Sequence, residues 1–424
     1  MPPSRRTVAI SAAVLGTLAL TACGSSASPE PGALRSSGAP ATSQPSGSAP
    51  AGFAATLAAA KGQTVNWYMY GGDDTLNTFV NGFVKTKLAA LGVTLNQVKI
   101  TDTVTAVNKV LAEKQAGTPS SVDAIWINGE NFATGKQADL WECGYAEKLP
   151  NAKNVDFTKP SVANDFGLPV QGCESVWQQA NSALVFDSKK LTANDVKSVS
   201  SLFAWSKAHP GQFTYPAPPD FTGSMAVRTF FYDTVGGPTS FAGAFDKAKY
   251  LPAASLLWKR LNDLAPALYK KGKTYPTGQT DVEKLYANGE ISAFLTYGPG
   301  AVSDAVKKGT YPASTRESVF DIGNISNHSF VSIPKSSPHK AAAEVLANVL
   351  LDPASQLQLY KTEGVFPGID VAKTDADTQA AFAAVSTSPS VLPLAELVKR
   401  AQPELASTYV TTIEKDWKAN VLQK

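Results

Sequence analysis

Strand-type and helix-type patterns alternate in the first third of the chain, and no other feature of the sequence restricts the fold as strongly. β-Branched and aromatic residues fill 64–69 and 122–127, and a shorter strand pattern covers 97–100. Between these segments, apolar residues recur every three or four positions over 76–91 and 104–111, which predicts two helices. A β-α-β-α-β order predicts a parallel sheet with helices on its faces.

Aromatic residues, glycines and carboxylates cluster at the ends of the first and third predicted strands. Ligands bind at the carboxyl ends of the strands in sheets of this kind, so we expect a pocket wall there. This wall comprises Trp67, Tyr70, Gly71, Gly72, Asp73, Trp126, Asn128, Gly129, Glu130 and Asn131. Two simpler interpretations stay open: the tryptophans are ordinary core residues, and Asp73 only caps the helix that follows it.

A second group of residues is expected to face this wall. It comprises Trp177, Asp220, Thr222, Gly223, Ser224 and Tyr297. The glycine and hydroxyl residues begin a predicted helix, 225–235, whose backbone N–H groups suit an anionic or polar group. The alternative is plain helix capping by Asp220, Thr222 or Ser224. The aromatic rings and carboxylates suit a small cationic or hydroxyl-rich ligand, so a zwitterionic or mixed ligand also stays open.

The first residues of the chain predict export. Arg5 and Arg6 precede an uncharged, mostly apolar run over 8–20, which is too short to span a bilayer as a helix. The run ends at residues 20–23, Leu-Thr-Ala-Cys, a sequence that resembles a lipobox. We therefore expect a signal peptide at 1–22 and acylation of Cys23. The alternative is a plain secretory signal with a chance cysteine.

The segment after Cys23 predicts a tether. Of the 27 residues from 24 to 50, 22 are Gly, Ser, Pro or Ala, a composition that cannot bury enough apolar surface to fold. We expect a lipid-anchored linker over 23–60 that holds a globular body at the extracytoplasmic face of the cell membrane. Cys143 and Cys173 remain in that exported body, where a disulfide between them is expected and two free thiols are the alternative.

Composition and missing motifs exclude several classes of function. Lys and Arg number 38 against 35 Asp and Glu, so the chain lacks the basic surface of a nucleic-acid binder. Three cysteines and three histidines cannot form a zinc site of the usual spacing. The sequence contains no Gly-x-Ser-x-Gly elbow and no His-Glu-x-x-His pair. We therefore expect no catalytic residues, no metal and no cofactor.

Several segments resemble bacterial extracellular solute-binding proteins of ABC transporters. Residues 285–294 read LYANGEISAF, and 330–335 read FVSIPK before SPHKAA at 337–342. More narrowly, VDAIWINGENF at 122–132 and PPDFTGS at 218–224 resemble the YnjB-type branch of this family. The resemblance covers nearly all of the chain after about residue 60.

The resemblance implies an α/β fold of the two-lobe, periplasmic-binding-protein-like type (type II-like). Each lobe would hold a mixed, mainly parallel sheet flanked by helices, with the ligand in the cleft between the lobes. Residues 61–175 and 326–424 are expected in lobe 1 and 176–325 in lobe 2, although the C-terminal helices could pack on either lobe.

The resemblance also implies a function. A monomeric lipoprotein would capture a small polar solute and deliver it to an ABC permease, which an ATPase subunit drives. Two other classes of function stay open: a secreted lipoprotein enzyme, such as a hydrolase, and an adhesive or structural lipoprotein.

Overall fold

The computed structural model describes residues 52–297, 299–385 and 388–424. The predicted signal peptide, Cys23 and most of the predicted tether lie outside these residues. The strands are β1 (Thr64–Tyr70), β2 (Thr94–Ile100), β3 (Ala124–Ile127), β4 (Asn164–Asp165), β5 (Leu168–Pro169), β6 (Ser175–Asn181), β7 (Ala183–Asp187), β8 (Ala293–Thr296), β9 (Thr315–Ser318), β10 (Asn324–Ser332), β11 (Phe366–Pro367) and β12 (Ala401–Gln402).

Helices connect and cover these strands. They are α1 (Phe53–Ala60), α2 (Asp74–Phe79), α3 (Lys85–Ala90), α4 (Thr103–Gln115), α5 (Gly129–Gln137), α6 (Pro160–Ala163), α7 (Val199–Ala208), α8 (Phe221–Val235), α9 (Lys247–Leu264), α10 (Gln279–Ala287), α11 (Pro299–Lys307), α12 (Lys340–Leu350), α13 (Pro353–Glu363), α14 (Ala376–Ala383), α15 (Leu394–Lys399) and α16 (Ser407–Trp417). A π-helical turn, Val80–Val84, joins α2 to α3. No helix among the described residues is long and apolar enough to cross a membrane.

The larger sheet contains the predicted alternating segment. Its strand order is β11-β6-β10-β3-β1-β2, with β12 beside β10. β1 pairs in parallel with both β2 and β3, as the β-α-β-α-β pattern predicts. β10 runs antiparallel to β3 and β6, so the sheet is mixed. The carboxyl ends of β1 and β3, where the first pocket wall is expected, therefore lie at the same edge of the sheet.

The smaller sheet has the order β8-β7-β9, and both of its strand pairs are antiparallel. The expectation of a mainly parallel sheet in this part of the chain is therefore wrong. β6 leads into β7 through Ser182, which donates its backbone N–H to the Ile325 carbonyl oxygen at 2.8 Å. The Ser182 hydroxyl accepts a hydrogen bond from the Ile325 N–H at 3.0 Å. The chain thus passes from the larger to the smaller sheet where β6 and β10 lie side by side.

Two main hydrophobic cores accompany the two sheets. The first packs α12 and the larger sheet around residues such as Trp67 and Phe330. The second packs the smaller sheet with α7, α8 and α9. The C-terminal helix α16, whose position the sequence left open, joins the second core through Ile413 and Trp417.

Three local findings complete the comparison with the sequence. The predicted linker 23–60 overlaps α1, where Thr56 and Ala60 are buried, so residues 53–60 belong to the folded body. The predicted disulfide joins Cys143 to Cys173. α12 begins at Lys340, and just before it the Ser337 hydroxyl donates to the buried Asp123 carboxylate at 2.7 Å.

Candidate functional site

Four aromatic side chains form a continuous edge-to-face row at the end of the larger sheet. The ring centroids of Tyr70 and Trp126 lie 6.5 Å apart, those of Trp126 and Trp177 5.1 Å, and those of Trp177 and Trp67 5.4 Å. This arrangement is one that aromatic rings favour. Tyr70 is 44% exposed, whereas Trp67 and Trp177 are 0% and 1% exposed.

The four residues of the aromatic row differ in their exposure to solvent. Tyr70 and the half-buried Trp126 can reach a ligand, whereas Trp67 and Trp177 are core residues in the geometry seen here. Trp177 was expected on the opposing wall, but it packs with the first one because it belongs to β6 of the larger sheet.

The turn after β1 fixes the position of Tyr70. The Gly71 N–H donates to the Ile100 carbonyl oxygen at 2.9 Å, and this bond extends the β1–β2 pairing by one residue. A Cβ atom on Gly72 would collide with the Tyr70 hydroxyl, so a side chain at position 72 would displace the ring. The Asp73 carboxylate accepts from the Leu76 N–H at 2.9 Å and caps α2.

Three carboxylates lie close to Tyr70. Burial raises the pKa of Tyr70, and the negative charges of Asp73, Glu283 and Asp220 raise it further. Burial also raises the pKa of Glu283, with a further contribution from Asp73. None of the three carboxylates forms an ion pair with a residue that the structure describes. The cluster therefore consists of three carboxyl groups without a paired cation among the described residues.

Elements beside both sheets contribute to this acidic cluster. Asp73 follows β1 of the larger sheet, whereas Asp220 caps α8 and Glu283 lies in α10, beside the smaller sheet. Asp73 and Asp220 were predicted from the sequence, whereas Glu283 was not. Glu283 lies inside an ordinary amphipathic helix, and no glycine or aromatic neighbour distinguishes it in the sequence.

The start of α8 is already capped. The Asp220 carboxylate accepts from the Gly223 N–H at 2.8 Å, so this N–H group is not free for an anionic ligand. The capping role proposed for Thr222 or Ser224 is wrong, since Asp220 is the cap. Phe221, which the sequence analysis missed, is 45% exposed, and its ring lies 5.2 Å from that of Tyr297.

Ser224 and Tyr297 meet in a buried polar network. Tyr297 donates its hydroxyl hydrogen to Glu404 at 3.0 Å, and Arg228 donates to both Glu404 and the Ser224 hydroxyl. The Ser224 hydroxyl donates in turn to Glu414 at 2.5 Å. Burial and then the charge of Glu404 raise the pKa of Tyr297 well above its usual value. These bonds tie the end of β8 to the C-terminal segment.

The residues after β3 form a separate part of the site. Gly129 has a φ of +63°, and its N–H donates to the buried Asp165 carboxylate at 2.6 Å. Asn128 precedes α5 without a side-chain cap bond, and Asn131 is half-buried. Glu130 is exposed, and its charge contributes to the raised pKa of Glu414, the partner of Ser224. The predicted walls thus form two clusters, one around Tyr70 and one around Ser224 and Tyr297.

The described part of the chain contains no group of three His, Cys, Asp or Glu side chains that could hold a metal ion. The site offers aromatic faces, carboxylates without a paired cation among the described residues, and a buried network that links α8, β8 and the C-terminal segment.

Comparison with known proteins agrees with this geometry. Residues 83–384 match the family described as bacterial extracellular solute-binding protein. The YnjB protein of Escherichia coli is 37% identical over 305 residues, which cover 70% of this chain and 77% of YnjB.

Solved structures of ABC transporter proteins share the fold. An ABC transporter substrate-binding protein from Bradyrhizobium japonicum has a TM-score of 0.61 at 17% identity, over 84% of this chain and 99% of that chain. The spermidine/putrescine ABC transporter substrate-binding protein PotD from Streptococcus pneumoniae has a TM-score of 0.58 at 14% identity, with the same coverage of 84% and 99%. The chain therefore belongs to the bacterial extracellular solute-binding proteins, a family whose members act outside the cytoplasm.

Proposed function

We propose that this protein captures a small, positively charged organic solute beside Tyr70 and delivers it to an ABC permease. The observation that carries the proposal is the group of three carboxylates, Asp73, Asp220 and Glu283. Their charges raise the pKa of Tyr70, and none of them has a cationic partner among the described residues. Carboxylates that approach one another repel, and a bound cation would relieve this repulsion.

The aromatic surface beside the carboxylates supports the same ligand class. A cation over the face of an aromatic ring gains roughly 0.5–2 kcal/mol, and a hydrogen bond to a charged group contributes roughly 1.5–3 kcal/mol. Together, one contact of each kind would change the affinity by about a hundredfold, since 1.4 kcal/mol corresponds to about tenfold. Tyr70 and Phe221 are the exposed aromatic residues of this cluster that could contribute such contacts.

We further propose that the two hydrophobic cores act as two lobes, with β6 and β10 as crossing segments. A ligand that contacts Asp73 on one side and Asp220 and Glu283 on the other favours a closed arrangement over an open one. In this proposal the protein works as a monomer, binds its solute without chemical conversion, and is held at the membrane by a lipid on Cys23, which lies outside the described residues. An ATPase subunit drives the permease that receives the solute.

Native mass spectrometry of gently purified protein tests the ligand class. We expect a co-purified small molecule that carries a positive charge in solution and is released unchanged. The double variant Asp220→Asn and Glu283→Gln should lose this molecule, because it removes two negative charges while an asparagine can still cap α8. The exposed carboxylate of Asp263 pairs with Lys259 on α9, so Asp263→Asn is the matched control and should retain the molecule. An anionic ligand, or retention by the double variant, would contradict the proposal.

The lipid anchor has its own test. Cys23→Ala should move the protein from the membrane fraction to the soluble fraction, and the wild-type N-terminal peptide should carry an acyl mass. A wild-type protein that carries no acyl group would overturn this part of the proposal, whatever its ligand.

A further inference from the structure

A short hairpin connects the two hydrophobic cores. Strands β4 and β5 pair with each other in antiparallel fashion, and Phe166 and Gly167 form the turn between them. Leu168 packs against the first core, whereas Phe166 is 4% exposed and belongs to the second core. Phe166 thus lies in the segment predicted for lobe 1, but its ring is part of the core beside the smaller sheet.

The backbone of Phe166 has a conformation that residues with side chains rarely adopt. Its φ is +43°, in the left-handed region, and Gly167 follows with a φ of +74°. A bulky residue in this region is strained, and the strain persists only where the surrounding contacts hold the residue in place. Such residues cluster at functional positions, so the contacts of Phe166 need an explanation.

Two contacts hold Phe166 on the side of the second core. The guanidinium carbon of Arg228 lies 5.7 Å from the centroid of the Phe166 ring, within the range of a cation–π interaction. The Phe166 carbonyl oxygen accepts from the N–H of Ser407, the first residue of α16, at 3.2 Å. Arg228 is itself held in place, because its guanidinium donates to Glu404 and to the Ser224 hydroxyl.

The other side of the hairpin is bonded to the pocket wall predicted at the end of β3. Asp165 Oδ2 accepts from the Gly129 N–H at 2.6 Å, and Gly129 is the first residue of α5. A Cβ atom on Gly129 would lie 3.5 Å from the Phe166 ring, so the start of α5 lies directly beside this ring. The hairpin therefore contacts α5 on one side, and α8 and α16 on the other.

We propose that the β4–β5 hairpin holds the two lobes together, and that the packing of the Phe166 ring against Arg228 is the contact that does so. This inference rests on the proposal above that the two cores act as two lobes, and it does not depend on the charge of the solute. A contact that favours the closed arrangement reduces the differential affinity that a solute must supply to close the lobes. The protein is then partly preorganised for capture before a solute arrives.

The variant Phe166→Gly tests this role in the soluble Cys23→Ala protein, from which any solute has been removed by unfolding, dialysis and refolding. Glycine adopts a positive φ readily, so the substitution removes the ring without straining the turn. We expect a larger radius of gyration by small-angle X-ray scattering. Hydrogen exchange at the Ser407 and Gly129 amides should accelerate at least about tenfold. An unchanged radius of gyration would overturn the proposal, whether or not the exchange rates change.

A second variant acts on the hairpin without changing the ring. Ser407→Pro removes the N–H that donates to Phe166, and proline suits this position because Ser407 begins α16 and Ala406 before it is not helical. It should increase the radius of gyration and the exchange at Gly129, so it tests the proposal even if Phe166→Gly fails to fold. Gln171→Gly is the matched control, because Gln171 is exposed, has a φ of +53° and lies just after the hairpin. An equal increase in this control would attribute the effect to backbone flexibility and overturn the proposal.

Scattering from the wild-type protein separates this inference from the proposed function. The radius of gyration is compared between the protein as purified and the protein after removal of its co-purified solute. A change on solute removal, with no effect of Phe166→Gly, would overturn the role of the hairpin alone. No change in either comparison would overturn the two-lobe motion and the role of the hairpin with it. An anionic solute in the mass spectrometry would contradict the proposed ligand class and leave a demonstrated role of the hairpin intact.

Discussion

Arg228 and Glu404 form a bidentate ion pair in the interior of the protein. Arg228 Nε lies 2.9 Å from Glu404 Oε2, Arg228 Nη2 lies 3.0 Å from Glu404 Oε1, and the two side chains are 1% and 3% exposed. The pair joins α8 to the segment before α16, and Tyr297 and Asn327 donate to the same carboxylate. It therefore holds the C-terminal segment against both β8 and β10.

Breaking this pair should strongly destabilise the protein. Glu404→Gln leaves the guanidinium of Arg228 without its counter-charge, and removal of one partner of a buried ion pair costs about 3–5 kcal/mol of unfolding free energy. Urea unfolding measures this change. Lys259→Ala is the control, because Lys259 and Asp263 form a surface pair with 73% and 52% exposed side chains, and its loss should cost less than about 1 kcal/mol. Equal effects of the two substitutions would contradict a structural role for the buried pair.

The disulfide should contribute to stability through the loop that it closes. Cys143 and Cys173 are separated by 30 residues, and on the chain-entropy argument a loop of this size stabilises the folded state by about 3–4 kcal/mol. The double variant Cys143→Ser and Cys173→Ser should therefore unfold at lower urea concentration than the oxidised wild type. Wild-type protein treated with a reductant should match the variant, and a variant as stable as the oxidised protein would exclude this contribution.

Glu317 should make stability depend on pH. Burial raises the pKa of Glu317 to about 8, while a hydrogen bond from the Leu392 N–H acts in the opposite direction. Between the ordinary value of 4.5 and about 8, the folded protein holds a proton that the unfolded chain has released. The free energy of unfolding should therefore fall as pH rises through this window, by about 1.36 kcal/mol for each pKa unit at most.

Glu317→Gln removes this titration and keeps an acceptor for Leu392. Its unfolding free energy should lack the contribution that falls with pH. The stability of the variant relative to the wild type should therefore increase as pH rises, and the difference in unfolding free energy should be most favourable to the variant above pH 8. Urea unfolding across the pH window measures the difference. Asp375→Asn, at an exposed cap of α14, should keep the wild-type slope. Parallel curves for wild type and Glu317→Gln would show that Glu317 is ionised in the folded protein.

The fold was predictable where the pattern of apolar residues is local. β1 and β3 were recognised because β-branched and aromatic residues fill them, and their parallel pairing follows from the helices between them. β10 begins at Asn324, although only its end, around Phe330 and Val331, has the apolar residues by which a strand is recognised. Its first half is polar yet buried, because partners elsewhere in the fold bond to side chains such as Ser326 and His328. Hydrophobic periodicity cannot detect a buried strand of this kind.

The candidate site was likewise predictable only for residues that follow strands with a local apolar pattern. Tyr70 and Trp126 follow recognisable strands, so their position at one sheet edge could be inferred from the sequence. Glu404 could not be inferred, because it lies 176 residues from Arg228 and its surroundings in the sequence contain no motif. Charge pairing across such a separation depends on the packing of α16 in the second core, and local sequence does not determine that packing.

Substitutions at the two ends of the aromatic row should have different effects, on solute binding at Tyr70 and on stability at Trp67. Tyr70 is 44% exposed and lies among the carboxylates, so Tyr70→Ala should weaken binding of the native solute about tenfold and cost about 1 kcal/mol or less of unfolding free energy. Trp67 is 0% exposed in the first core, and Trp67→Ala should cost about 3–5 kcal/mol through the cavity it leaves. Calorimetric titration with the solute identified by mass spectrometry, together with urea unfolding, measures both quantities. Wild-type affinity in Tyr70→Ala would remove this end of β1 from the binding site.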